Sequence, residues 1–162
     1  NESFDGPNRV ENYEAELNAF VVHTLSKAYN GKAAPRLVLV SPIAYENLSK
    51  MRDLPNGEKE NANLALYSAA MQRVAKKHNL TFIDLFTPTK EHYATAKTPF
   101  TSNGFIPNDE GYKQLAVLLA NGLYGHASHA SKADPATVHA AVKEKDWLWQ
   151  NDYYILNGVH TH

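Results

Sequence analysis

Apolar residues recur along the first part of the chain at Val10, Tyr13, Leu17, Phe20, Val21 and Ala28. That spacing predicts a helix over 10–29, with Gly31 as its stop. The pattern then changes: "RLVLV", 36–40, is an unbroken run of Leu and Val between Pro35 and Pro42. A run of this kind suits a parallel strand buried on both faces. Residues 52–58, "RDLPNGE", read as a turn-rich loop. Helical spacing returns over 62–78, where Leu64, Tyr67, Met71, Val74 and Ala75 share one side and Asn79 follows. "TFIDLF", 81–86, reads as a second short strand. Asn108 is a good N-cap for a third helix carrying Tyr112, Leu115, Leu119 and Leu123. Asp134-Pro135 is an N-cap and first-position pair that opens a fourth helix, continuing to about Lys145.

The predicted order is therefore helix, strand, helix, strand, helix, helix. Alternation with buried-type strands argues for an α/β fold with a parallel sheet. Two strands, however, cannot bury four amphipathic helices, because a parallel sheet is covered on both faces. The expectation is that strands are missing, most simply before residue 1, and that the rest of a parent polypeptide or another chain completes the sheet. The termini fit that reading. "NESFDGPNRV" has no initiator Met, basic segment or apolar segment of a signal peptide, and "NGVHTH" follows an aromatic-rich stretch. Both ends read as cut from something longer.

Composition narrows the function classes. The 162 residues suit one domain, and a net charge of −1 gives no electrostatic case for nucleic acid or an anionic membrane. No apolar run approaches the ~20 residues of a membrane span. Without cysteine, disulfides, thiolate-bound zinc and thiol chemistry are excluded, while the redox compartment stays open.

The ordered set of motifs resembles the SGNH, or GDSL-type, hydrolases, in particular the planctomycete-type branch. Asn1-Glu2-Ser3-Phe4 matches the family's third block, "RLVLVSPIAYE" the strand after it, and "TFIDLF" the last strand. "TSNGFIPNDEGYKQLA", 101–116, matches the fourth block, with Gly104 and Gly111-Tyr112 as the anchors. The resemblance covers roughly residues 1–124, as the C-terminal portion of the domain; 125–162 are a linker, a helix and an aromatic-rich extension. It implies a flavodoxin-like three-layer αβα sandwich whose N-terminal strands are not in this chain. It implies a periplasmic or secreted setting, and a carbohydrate or acyl ester as ligand. It makes Asn1 an oxyanion-hole candidate; Glu2, Glu46 and His92 are candidates for substrate binding, Glu46 and His92 from their places beyond the carboxyl ends of the two strands. The family's first two blocks, with the nucleophilic Ser and a Gly, have no counterpart here. The fourth block departs from the family: Ser102 stands at the place of the Asp and Ile106 at the place of the His.

That departure decides the chemistry. Ester cleavage by a serine needs a base within hydrogen-bond reach, oriented by an acceptor. Isoleucine accepts no proton, and a serine hydroxyl is a poor substitute for a carboxylate. The leading expectation is a non-catalytic or weakly catalytic copy, with Ile106 repacked into an apolar niche. Two alternatives stay open. One is an active esterase with its Ser supplied upstream and a relocated base such as His92. The other is a binding or assembly module of a larger extracytoplasmic protein.

No cofactor or metal is called for. His126, His129, His160 and His162 have pair spacings that zinc accepts, but they lie in a polar linker and at an end, where solvated histidines are the plainer reading. His23, His78 and His139 read as helix-surface residues. Asp84 suits a strand-end carboxylate bonded to nearby backbone. Glu46 reads either as a cleft residue or as a solvated loop carboxylate, and His92 as part of the loop after the last strand. Trp147, Trp149, Tyr153 and Tyr154 alternate in part like a strand or an extended arm, which would either pack the extension or stack on a sugar.

Overall fold

Val38–Val40 (β1) and Thr81–Ile83 (β2) pair as parallel strands, in register Val38 with Thr81 and Val40 with Ile83. The structure, a computed structural model, describes residues 2–125 and 134–151. The chain forms two compact units, Asn1–His126 and Ala127–His162. In the first, two short 3₁₀ turns, Glu2–Asp5 and Pro7–Arg9, lead into α1 (Val10–Leu25) and β1. Then come α2 (Glu58–Lys77), β2, α3 (Phe86–Thr95) and α4 (Asp109–Tyr124). The architecture is mixed α/β and mostly helical, with a two-stranded sheet among the described residues.

The expected apolar stripe of α2 is buried: Leu64, Tyr67, Val74 and Ala75 are all in the core. Two clusters divide that core. Val21 from α1, Leu39 from β1, and Val74 and Ala75 from α2 form one, with Leu17, Leu25 and Met71 packed against it. Ala44, Tyr45, Leu64 and Phe86 form the other, just past the end of β1. Side-chain contacts between α1 and α2 add to the first: Asn18 Oδ1 lies 2.8 Å from His78 Nε2, and the Tyr13 and Tyr67 rings meet at 4.9 Å.

Several boundaries differ from the sequence reading, each for a local reason. α1 stops at Leu25 because Ser26 Oγ bonds back to the His23 carbonyl, turning the chain a full turn before the expected end. β1 is three residues long, and Val38 is exposed while Leu39 is buried, so it is not covered on both faces. The second predicted strand ends at Ile83. Beyond it, Asp84 Oδ1 accepts from Thr87 N, as the strand-end reading expected, and Ser41 Oγ accepts from Leu85 N and Phe86 N. These bonds satisfy amides at the start of α3, a helix that periodicity had not signalled. His92 is consequently a helix residue and not a loop residue. The α4 cap is as expected, Asn108 Oδ1 accepting from Gly111 N at 3.0 Å. Its apolar face is not fully covered: Tyr112, Val117 and Leu123 are exposed.

In the second unit, Asp134 caps α5 (Pro135–Trp149) by accepting from Ala136 N and Thr137 N. The helix runs past the expected end near Lys145, so Trp147 and Trp149 are helical and not part of an extended arm. Tyr153, Tyr154 and the histidines at 126, 129, 160 and 162 lie outside the described residues.

Candidate functional site

The segment leaving β1 builds the site because hydrogen bonds fix it on three sides. Thr89 of α3, nearly fully buried, accepts from Ala44 N at 2.9 Å and donates to Leu85 O at 2.6 Å. Asn61 of α2 clasps the next residue reciprocally: Tyr45 N donates to Asn61 Oδ1 at 2.8 Å, and Asn61 Nδ2 donates to Tyr45 O at 2.9 Å. Glu46 N donates to Gly104 O at 2.7 Å, tying in the loop before α4.

That loop is a closed hairpin. Thr101 and Pro107 bridge at its base, Ser102 N donates to Ile106 O at 2.8 Å, and Ser102 Oγ reaches the same carbonyl at 3.2 Å. Asn103 Oδ1 accepts from Ile106 N at 2.9 Å, and Arg52 Nη1 donates to Ser102 O. Ser102 and Ile106 thus hold each other through the Ile106 carbonyl. The Ile106 side chain is 49% exposed, which corrects the expected apolar niche. Phe105, itself 46% exposed, carries the ring contacts of this turn, to Tyr45 at 6.2 Å and to Phe4 at 6.5 Å.

A cleft of about 320 Å³ opens between these elements. Ser3 and Phe4 come from the first 3₁₀ turn, Pro42, Ile43 and Tyr45 from the exit of β1, and Phe105 from the hairpin. α2 contributes Lys59, Glu60, Asn63 and Leu64. The location is beyond the carboxyl end of a parallel strand, where open α/β sheets bind ligands. Burial, and secondarily the Glu60 carboxylate, hold the Tyr45 phenol above its ordinary range.

The candidates from sequence are distributed unevenly around this cleft. Asn1 lies outside the described residues, although the turn that follows it reaches the hairpin through Phe4 and Phe105. Glu2 is exposed and does not line the cleft. Glu46 is neither solvated nor a cleft residue. Its buried carboxylate accepts from Phe100 N, from Thr101 N at 2.7 Å and from Thr101 Oγ1 at 2.5 Å. A carboxylate so occupied has its acceptor sites turned toward the loop it holds. Burial, then Glu46, push the neighbouring Tyr93 up to about 12. His92 lines a separate groove, its Nδ1 2.9 Å from Gln114 Oε1. Among the described residues, no three His, Cys, Asp or Glu side chains gather to hold a metal. No helix among them is long and apolar enough to cross a membrane.

Sequence reasoning missed Tyr45, Lys59, Asn63 and Phe105 as cleft residues. A signal was present for Asn63: a polar residue beside Leu64 on the buried stripe of α2. No family model, curated protein or solved structure matches the chain.

Proposed function

We propose that this chain is the C-terminal portion of an SGNH-type hydrolase-like domain whose cleft holds a ligand and does not cleave it. One observation carries the reading. Ser102 and Ile106, at the places of the family's acid and base, close a hairpin on each other and offer no proton acceptor on a side chain beside the cleft. A serine nucleophile next to this hairpin would lack the base that takes its proton, and loss of such a member removes several orders of magnitude in rate. The retained parts are those of a binding site: a pocket at the end of a parallel strand, aromatic walls, and buried polar groups. Strands from the parent polypeptide or from another chain would extend the sheet into the flavodoxin-like sandwich. The short sheet and the exposed Val38 favour that completion. A carbohydrate or acyl ester as ligand, and a periplasmic or secreted setting, follow from the family resemblance.

The test is restoration. Ser102→Asp with Ile106→His in the full-length polypeptide should raise hydrolysis of an aryl acetate at least a hundredfold if an upstream Ser is present. An unmodified protein that already hydrolyses at the restored rate would contradict the reading.

A further inference from the structure

Two polar groups that line the cleft are not used by the fold. Asn63 is 9% exposed and Tyr45 7% exposed, both line the cleft, and neither the Asn63 amide nor the Tyr45 hydroxyl has a hydrogen-bond partner among the described residues. The surrounding chain had the means to use them. Asn61, two positions away on α2, is fully engaged with the Tyr45 backbone, and Tyr67, one turn on, donates to Gly6 O at 3.0 Å. The Asn63 amide and the Tyr45 hydroxyl open to the cleft, so water satisfies them until a ligand displaces it, and an apolar replacement leaves no protein group unpaired. An amide and a hydroxyl placed in this way are free to bond what enters the cleft.

The chemistry of the lining selects what enters. A carboxamide presents an acceptor and a donor side by side, and another amide matches it with two antiparallel hydrogen bonds. The floor beside Asn63 is apolar, formed by Pro42, Ile43 and Leu64. It suits a methyl group and would desolvate an ion without compensation. Lys59 and Glu60 sit at successive positions, so the rim carries no net charge. Phe4 and Phe105 stand at 73° to each other and are 65% and 46% exposed, leaving apolar ring surface for the ligand's body. The volume of about 320 Å³ fits a molecule of monosaccharide size. We infer that the cleft binds a small neutral ligand bearing an acetamido group, with its amide on Asn63 and the Tyr45 hydroxyl and its body against Phe4 and Phe105. The inference rests on the reading of this cleft as a binding site, and it holds whether or not any hydrolysis occurs.

The test is titration of the isotope-labelled protein with N-acetylglucosamine, glucose and glucosamine, followed by amide chemical shifts, beside thermal melts of Asn63→Leu and Tyr45→Phe. N-acetylglucosamine should shift amides around Asn63 and Phe105 with a Kd on the order of 1 mM, and glucose should bind at least tenfold more weakly. Asn63→Leu should lose at least tenfold in affinity while melting at or above the temperature of the unmodified protein. A purely structural asparagine would instead lower the melt. Equal binding of glucose, tighter binding of glucosamine, absence of binding by all three, or undiminished affinity in Asn63→Leu would each overturn the inference. A hydrolysis assay on the same samples reads the proposed loss of catalysis separately, so the two can fail independently.

Discussion

Tyr45 lies against Gly104 so closely that a Cβ there would come within 2.7 Å of the ring's Cε2. Gly104 also has φ +95°, a conformation that side chains rarely adopt. A Cβ at Gly57, φ +82°, would come within 2.6 Å of Cδ1 of the same ring. The ring is therefore in close contact with two glycines that are required both for space and for backbone. Gly104→Ala should cost on the order of 2–4 kcal/mol from strain and overpacking together, measured by denaturant unfolding. A loss under about 0.5 kcal/mol, the range of an ordinary surface change, would show that the ring has room to move.

Glu46 is the buried link between β1's exit and the hairpin. Glu46→Ala leaves Phe100 N, Thr101 N and Thr101 Oγ1 without their acceptor, which should cost on the order of 2–4 kcal/mol. Glu46→Gln keeps an acceptor oxygen and should cost less. Denaturant midpoints of the two variants check the order, and equal losses would mean that shape alone matters here.

Alkaline pH should loosen the fold through its tyrosines. Tyr13, Tyr45, Tyr67 and Tyr93 are all held above their ordinary value of 10.0, chiefly by burial, with Tyr93 at about 12. For a folded-state value raised above the unfolded one, the contribution to stability is complete below about pH 10 and is lost as pH rises toward 12. Phenolate absorbance during a pH titration should show a late group of tyrosines, and Tyr93→Phe should remove a step near pH 12. A titration complete by pH 11 would contradict the packing described.

Ile106 is a place where burial predicts tolerance. With half its surface exposed, Ile106→Ala should cost less than about 1 kcal/mol. An effect of 2 kcal/mol or more in the same unfolding measurement would restore the apolar niche that the residue type had implied.

What the sequence made legible follows from what periodicity records. The stripe Leu64, Tyr67, Val74, Ala75 and the cap Asn108 are local patterns, and they reappear in place. The start of α3 depends on Ser41 Oγ, more than forty residues away in sequence, and no local pattern signals it. Glu46 reads as a loop carboxylate because its partners at Phe100 and Thr101 are equally remote. Ile106 reads as buried by residue type, whereas the hairpin leaves it half exposed and gives the ring contacts with Tyr45 and Phe4 to Phe105. The cleft was legible only as a region, the edge beyond the strands. Its polar members on α2 were hidden within a helix whose other side chains read as core or surface.

The central claim, that this cleft holds without cleaving, is met most directly by the rate of 4-nitrophenyl acetate hydrolysis by the unmodified full-length protein, with His92→Ala and His162→Ala measured alongside. The account predicts a rate within about tenfold of the uncatalysed reaction, unchanged in both variants, since oxyanion donors without a base leave only residual catalysis. A rate several orders of magnitude above background, abolished by either substitution, would contradict it and establish a relocated base.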